Sequence, residues 1–296
     1  MGPFRSLLFS PGIRPDMMEK APRSGADALI FDLEDSVPRN MRKEARKHVA
    51  EALLRPDLPP VFVRVNHPST GETQADLDAL APGRLEGIIL PKAETAADVT
   101  FLDALLLPLE KRLNLEPETI TLIPLVESCL GLRFCYEMAA AAPRVRSLAF
   151  SSGEEGDFMV DLGGHWTPEG QAFLYPRSKL VCDARAAGIE YPLDGVFMNL
   201  KDDEALRREC RLARTLGYTG KMAIHPRQIS VIHEVFTPSA EEIGYSRGLV
   251  AAFREAEAGG RGAVQFRGMM VDYANVKRAE RILALADALS QPGPRR

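Results

Sequence analysis

The feature that most constrains this chain is a regular alternation of short apolar runs with longer helical segments. Eight runs of three to six residues are rich in aliphatic residues and phenylalanine, and each is followed by a segment of helical character. Their apolarity is continuous rather than alternating, which is typical of strands buried on both faces, as in parallel sheets. The predicted strands are Leu7–Phe9, Ala28–Phe31, Val61–Val65, Gly87–Leu90, Thr121–Val126, Ser147–Phe150, Gly195–Met198 and Lys221–Ile224.

Eight β-then-α units in about 230 residues predict a (β/α)8 TIM barrel. The intervening helices are predicted at Pro15–Ser24, Met41–Leu54, Gln74–Leu80, Ala96–Arg112, Gly131–Ala141, Phe173–Ala187, Asp203–Leu216 and Arg227–Phe236.

The barrel domain is therefore expected to span residues 1–237, with residues 238–296 as an additional C-terminal helical extension. Helices are predicted there at Ser239–Glu257 and Asn275–Ser290, packing on the barrel or on a neighbouring subunit. The last six residues, Gln291–Arg296, are expected to be disordered.

Composition excludes several classes of protein. The 37 basic and 41 acidic residues give a net charge of -4, which argues against bulk binding to nucleic acid. No apolar stretch is long enough to span a bilayer. The four cysteines show no CxxC spacing, so we expect buried thiols in a reducing, cytoplasmic compartment. The charge run 201–211 is predicted to be a solvated helix face.

Ionisable residues follow nearly every predicted strand, at the end where TIM barrels build their active sites. Carboxylates brought together raise each other's pKa unless a cation neutralises them, and an oxygen-rich cluster suits Mg²⁺. No His-rich or Cys-rich set favours zinc. His225 could be catalytic or simply a hydrogen-bonded residue at the edge of the core. The strand-end residues are Arg14, Asp32, Glu34, Asp35, Arg64, Lys92, Glu127, Glu154, Glu155, Asp157 and His225.

Eight segments, in order and covering nearly the whole chain, resemble the citrate lyase β-subunit-like aldolases of the HpcH/HpaI superfamily. This superfamily of acyl-CoA lyases includes malyl-CoA and citramalyl-CoA lyases. The matching segments are 5–12 (RSLLFSPG), 32–37 (DLEDSV), 63–66 (VRVN), 90–92 (LPK), 125–128 (LVES), Asp157 with 161–163 (DLG), 220–221 (GK) with 224–228 (IHPRQ), and 268–272 (GMMVD).

The resemblance implies a Mg²⁺-dependent lyase that makes or breaks a carbon–carbon bond beside a thioester. The substrate would be a 3-hydroxyacyl thioester such as citryl-, malyl- or citramalyl-CoA, carried by coenzyme A or an acyl-carrier protein. The products would be a shorter acyl-CoA and a keto acid such as oxaloacetate, glyoxylate or pyruvate. The resemblance also implies a homo-oligomer, either a trimer or a hexamer.

By position in the family motifs, Glu127 and Asp157 match the metal-binding carboxylates. Arg64 matches the arginine that holds the keto acid's oxygens, and it is also assigned a catalytic role. Glu34 and Asp35 are expected to hold metal-bound waters, which places them among the catalytic residues.

The remaining implied residues bind the thioester or act as a base. Asp272 matches an acidic residue that in relatives reaches the active site from a neighbouring subunit, and it is our candidate general base. The residues matched to the coenzyme A and substrate side are Phe9, Arg14, Lys20, Gly156, His225 and Pro226.

The loop after the sixth predicted strand departs from the family pattern. It reads Gly-Glu-Glu-Gly-Asp over residues 153–157, with Gly156 where a glutamate is expected. The departure makes Glu155 a rival of Asp157 as a metal ligand. The tail aspartate Asp272 also lacks the proline that commonly follows it.

Three other functions stay open from the sequence. The same barrel could hydrolyse a CoA thioester, serve as a non-catalytic assembly subunit of a citrate lyase-type complex, or handle phosphoenolpyruvate or pyruvate with Mg²⁺ and without coenzyme A.

Overall fold

A computed structural model describes residues 2–80 and 85–290 and confirms the predicted barrel. Eight parallel strands pair in chain order, and β1 closes the sheet by pairing with β8. The strands are β1 Ser6–Pro11, β2 Ala28–Asp32, β3 Val61–Arg64, β4 Leu85–Leu90, β5 Thr121–Val126, β6 Ala149–Phe150, β7 Leu193–Asp194 and β8 Gly220–Ala223.

One core cluster draws its residues from all eight strands. Successive strand residues point to opposite faces, so every second side chain contributes to the same face of the sheet. Apart from a few percent at two positions, these side chains are inaccessible to solvent. The cluster comprises Leu7, Ala28, Ile30, Phe62, Ile89, Ile123, Leu125, Ala149, Leu193 and Met222.

Helices follow the strands as expected, with local differences at their ends. The helices are α1 Pro15–Lys20, α2 Arg42–Leu53, α3 Thr73–Ala79, α4 Ala96–Arg112, α5 Cys129–Arg133, α6 Cys135–Ala140, α7 Asp157–Leu162, α8 Gln171–Ala186, α9 Asp203–Leu216 and α10 Gln228–Phe236. The first predicted helix continues as a 3-10 turn over Ala21–Ser24. The segment predicted as Gly131–Ala141 divides into α5 and α6 at Phe134. The short helix α7 was not expected.

The predicted position of the seventh strand was wrong. The ladder pairs Leu193 with Gly220 and Asp194 with Lys221, so β7 ends before the apolar run that had suggested a strand at 195–198. A Cβ on Gly195 would lie 2.4 Å from the carbonyl oxygen of Phe150, because the chain passes closely over the end of β6. In the sequence, Asp194 looks like a loop residue that precedes a strand. In the structure it belongs to β7, because buried basic residues pair with its carboxylate.

Those partners form a fully buried ion-pair cluster between two strands and two helices. The Arg177 guanidinium on α8 donates to both carboxylate oxygens of Asp194, over 2.9 and 3.1 Å. The Lys221 ammonium donates to Asp194 and to Glu209 of α9, each over 2.6 Å. Glu209 lies within the charge run predicted to be a solvated helix face, so that prediction was wrong at this position.

We expect Asp194→Asn to lower the free energy of unfolding by about 3 kcal/mol or more, because it leaves Arg177 and Lys221 buried with only one carboxylate. Asp57→Asn is the matched control, since Arg55 grips Asp57 through the same two-bond fork on the surface. An exposed pair contributes at most about 1 kcal/mol. Urea unfolding measures both losses, and equal losses would contradict a role for burial.

The same carboxylate makes stability depend on pH. Burial opposes ionisation of Asp194, but Arg177 and Lys221 outweigh it and hold the pKa of Asp194 below its ordinary value. A depressed carboxyl pKa stabilises the fold above the unfolded-state value, about 4, and this stabilisation is lost as pH falls further. Unfolding curves below pH 4 should therefore show a shallower pH dependence for Asp194→Asn than for the wild type.

The chain divides into two compact units, Pro3–Val235 and a second that begins at Phe236. The second unit contains α11 Ala240–Ala258, a two-stranded antiparallel hairpin of β9 Val264–Phe266 and β10 Met269–Val271, and α12 Tyr273–Ser290. The two helices were predicted, whereas the hairpin was not. Residues 291–296, predicted to be disordered, lie outside the described residues.

The second unit has its own apolar core. Leu249, Val250 and Phe253 of α11 pack against Val276 and Ala279 of α12. The hairpin adds Val271 to this cluster, and the Phe266 ring meets the Tyr245 ring edge-on at 5.3 Å. Helix α11 begins with a capping box in which Ser239 and Glu242 exchange hydrogen bonds.

The cysteines follow the prediction only in part. Cys135 and Cys210 are buried as expected, whereas Cys129 and Cys182 are exposed, so the prediction of buried thiols was wrong for those two. Among the described residues, every helix is too short or too polar to traverse a bilayer.

Candidate active site

An open cavity of about 760 Å³ lies where the strand-end loops of the barrel meet. Four strands deliver ionisable residues directly: β2 leads into Glu34 and Asp35, β3 ends in Arg64, β4 leads into Lys92, and β5 leads into Glu127. The loop after β6 ends in Asp157, the first residue of α7. The strand-end cluster, as we call it, comprises Asp32, Glu34, Asp35, Arg64, Lys92, Glu127 and Asp157.

Arg64 is fixed by a two-bond fork to the last residue of the neighbouring strand. Its Nε and one terminal nitrogen donate to the two carboxylate oxygens of Asp32, over 2.7 and 2.8 Å. The other terminal nitrogen lies 3.2 Å from Glu34 and 3.4 Å from Asp35, and the guanidinium lies 5.0 Å from the centre of the Phe9 ring. Asp32 thus occupies the fork, the other terminal nitrogen is paired with Glu34 and Asp35, and Arg64 lies just outside the cavity lining.

Lys92 links the carboxylates of three loops. Its ammonium nitrogen lies 2.5 Å from Glu34, 2.9 Å from Asp35 and 3.3 Å from Asp157. Its backbone N–H donates to Glu127 over 2.8 Å. The sequence marked Lys92 only as a residue at a strand end, so its central position is a finding of the structure.

Glu127 is a buried carboxyl group of the cluster with few hydrogen bonds to compensate for the loss of water around its charge. It is 6% exposed, and among the described residues its carboxylate accepts one hydrogen bond, from the Lys92 backbone. Burial raises the pKa of Glu127 to about 7, with Glu34 adding to the rise and Arg64 opposing it. A buried carboxylate with so little compensation is suited to accept a cation.

Glu34 and Asp35 are adjacent in sequence but differ in environment. Burial keeps the pKa of Glu34 above its ordinary value despite the positive charges of Arg64 and Lys92. Asp35 is half exposed; burial pushes its pKa upward, but the bond to Lys92 and the charge of Arg64 bring the pKa below its ordinary value. Oε2 of Glu34 is buried and forms an ion pair with Arg64 over 3.2 Å, although no hydrogen bond of good geometry reaches it within the described part of the chain.

Asp157 lines the cavity, whereas Glu155 is exposed and lies outside the lining. Gly156 precedes α7, and a Cβ there would lie 3.3 Å from both the Gly153 carbonyl oxygen and the Ser151 hydroxyl. A larger residue at Gly156 would need these neighbours to shift slightly. The position of Asp157 in the cavity lining favours it over Glu155 as a metal ligand, and that assignment stays a prediction.

The residues predicted on the coenzyme A side lie apart from the cavity lining. Phe9 packs under Arg64, and Arg14 pairs with Asp16 at the exposed start of α1. Lys20 is exposed at the end of α1. Their roles toward coenzyme A stay predictions.

His225 and Pro226 follow β8 and are also outside the cavity lining. The Gln228 side chain accepts hydrogen bonds from the backbone N–H groups of Ile224 and His225 and donates to the Phe197 carbonyl. Gln228 thus holds the loop that carries His225 in place. The role predicted for His225 on the substrate side stays a prediction.

Asp272 belongs to the second compact unit, between β10 and α12. Its carboxylate accepts hydrogen bonds from the N–H groups of Ala274 and Asn275 at the start of α12. Its role as a base stays a prediction.

A polar wall faces the same cavity and was missed by sequence reasoning. Arg39 and Arg42 come from the segment that enters α2, and His67, Ser69 and Thr70 from the loop after β3. Nε of Arg42 is buried without a hydrogen-bond partner among the described residues. The only sequence signal was a basic residue near the start of a helix, which is common on any surface.

Comparison with known proteins shows the family to which the chain belongs. The profile of the HpcH/HpaI aldolase/citrate lyase family matches residues 5–226. The citrate lyase subunit beta of Leuconostoc mesenteroides subsp. cremoris is 37% identical over 96% of this chain and 93% of its own length. The mitochondrial citramalyl-CoA lyase of Rattus norvegicus is 35% identical over 98% of this chain and 88% of its own length.

A solved structure resembles the whole chain. Protein CitE from Mycobacterium tuberculosis, in complex with magnesium, acetoacetate and coenzyme A, is 33% identical with a TM-score of 0.77. The match covers 97% of this chain and 98% of the CitE chain.

Proposed function

Because the chain belongs to the HpcH/HpaI aldolase/citrate lyase family, we propose that it is a Mg²⁺-dependent carbon–carbon lyase acting on a 3-hydroxyacyl-CoA thioester. Citryl-, malyl- and citramalyl-CoA are the proposed substrates, cleaved to a keto acid and a shorter acyl-CoA or formed in the reverse direction. The observation that carries the proposal is the undercompensated, buried Glu127 beside Arg64 and Lys92 at the end of β5.

The residues present fit a magnesium ion. Glu127 and Asp157 would hold it, with substrate and water oxygens completing its coordination, as is usual for Mg²⁺. Within the described ranges, no three His, Cys, Asp or Glu side chains form a metal cage. When bound, Mg²⁺ supplies a Lewis acid for the substrate's hydroxyl and carboxylate oxygens.

Cleavage requires loss of the hydroxyl proton, after which the carbon–carbon bond breaks to give a keto acid and a thioester enolate. The enolate carbon then takes a proton, which completes the shorter acyl-CoA. Arg64 would direct to the keto acid's oxygens the terminal nitrogen that now pairs with Glu34 and Asp35, since charge-assisted bonds to carboxylates are strong. Glu34 and Asp35 would order water at the metal.

Asp272 is the proposed general base and later the acid that protonates the enolate. In this proposal it acts from a neighbouring subunit of a homo-oligomer, a trimer or hexamer. Support comes from the match of residues 268–272 to the family motif that carries this aspartate.

The test is a cleavage screen of the purified protein against malyl-CoA, both citramalyl-CoA stereoisomers and citryl-CoA, with products identified by mass. We expect a keto acid and a shorter acyl-CoA in equal amounts, and no turnover after Mg²⁺ is removed with EDTA. Release of free coenzyme A instead would identify a thioester hydrolase and overturn the proposal. Turnover in EDTA would overturn the metal requirement.

A further inference from the structure

Lys92 is held in an uncommon backbone conformation at the centre of the strand-end cluster. Its φ of 50° lies in the left-handed region, which residues other than glycine seldom occupy and which occurs preferentially at functional sites. The neighbouring Ala93 N–H donates to the Leu125 carbonyl and the Lys92 N–H donates to Glu127. These bonds to β5 and to the residue that follows it hold the turn in place.

The ammonium group lies where carboxylates from two loops converge. It has three N–H donors and three carboxylate neighbours: Glu34 and Asp35 after β2, and Asp157 at the start of α7. The contact with Asp157, at 3.3 Å, is the longest of the three. The ammonium is thus anchored by the β2 loop and reaches across to the α7 carboxylate.

Both proposed metal ligands are therefore bonded to one residue. Glu127 accepts from the backbone of Lys92, and Asp157 pairs with its side chain. A divalent cation shared by these two carboxylates would lie close to the ammonium and would compete with it for Asp157. Like charges a few ångströms apart cost at least about tenfold in affinity, even at a high effective dielectric constant.

We propose that the Lys92 ammonium competes with the divalent cation for Asp157 and so makes metal binding depend on the keto acid. The inference rests on the proposed metal site. Asp157 is one of three carboxylates that share the Lys92 ammonium. The carboxylate of a keto acid gives the ammonium another acceptor and so releases Asp157 to the metal. Each ligand then strengthens the other's binding by the same factor.

Calorimetric titration with MgCl₂, alone and with saturating pyruvate, tests this without measuring turnover. The wild type should bind Mg²⁺ weakly alone and about tenfold or more tightly with pyruvate. Lys92→Met should bind Mg²⁺ alone about tenfold or more tightly than the wild type, with a smaller gain from pyruvate. Methionine is an unbranched side chain one atom shorter than lysine, and it removes the charge under the same backbone constraint.

Three variants serve as controls. Lys92→Gln repeats the loss of charge with a polar side chain, in case Lys92→Met does not fold, as judged by circular dichroism. Lys92→Arg keeps the charge and should keep Mg²⁺ binding weak. Lys111→Met removes an exposed lysine near the end of α4 and should bind Mg²⁺ as the wild type does.

The possible results separate the two proposals. Equal or weaker Mg²⁺ binding by the folded, neutral Lys92 variants would overturn competition by the ammonium. An equal gain from pyruvate in wild type and variants would overturn the coupling. If the wild type binds no Mg²⁺ even with pyruvate, the metal site itself is wrong and the inference falls with it.

Discussion

Glu127→Gln should abolish Mg²⁺-dependent cleavage, lowering kcat/KM roughly 10³-fold or more, because the amide removes one of two carboxylates proposed for the metal. The fold should survive. Glutamine has nearly the same shape, and its amide oxygen can still accept the Lys92 N–H bond that Glu127 accepts. Burial already disfavours the charged form, as the pKa of about 7 shows, so losing the charge costs the folded state little.

Steady-state kinetics, Mg²⁺ titration and thermal melting of the variant measure these effects. Glu137→Gln on the exposed face of α6 is the matched control, since it makes the same change at a residue outside the cavity lining. Its kcat/KM and Mg²⁺ affinity should equal those of the wild type. Full turnover by Glu127→Gln would remove Glu127 from the site.

Arg64→Lys should lower kcat/KM roughly 10²-fold to 10³-fold, because an ammonium cannot bond both oxygens of Asp32 while also directing a donor toward a keto acid. The guanidinium does both through its planar geometry: two donors are fixed on Asp32, and the third nitrogen is directed toward Glu34 and Asp35. Lysine would have to abandon one of these contacts. The variant should also be less stable, since Asp32 is 1% exposed and would lose half of its fork.

Loss of stability alone must be separated from loss of a catalytic contact. Arg5→Lys provides this control, since Arg5 grips Asp27 by a similar fork just before β1 and β2, at the opposite ends of the strands. It should lower the melting temperature and leave kcat/KM within about twofold of the wild type. Near-normal kinetics of Arg64→Lys would contradict the role assigned to Arg64.

Much of the strand-end cluster was predictable because a barrel converts order along the chain into proximity. Once eight parallel strands were predicted, the residues after β2, β3, β4 and β5 had to converge on one rim. Glu34, Asp35, Arg64 and Glu127 follow from that rule alone. Asp157 was harder to place, because it follows β6 by a loop of six residues and begins a helix that periodicity did not reveal.

The sequence by itself determined the barrel, since continuous apolar runs of strand length at regular intervals can be buried only in a sheet covered on both faces. The tertiary structure alone decided how charges are shared. Asp194 ended a predicted loop, yet it is the last residue of β7. It can be buried there because it pairs with Arg177 and Lys221, which are 17 and 27 residues away in the sequence. In the sequence, Lys92 was one of several ionisable residues at strand ends. Only the structure shows that its ammonium contacts three carboxylates. The local sequence pattern predicts which apolar residues are buried. A buried charge, in contrast, is stabilised by ion-pair partners that are distant in sequence and that only the folded chain brings together.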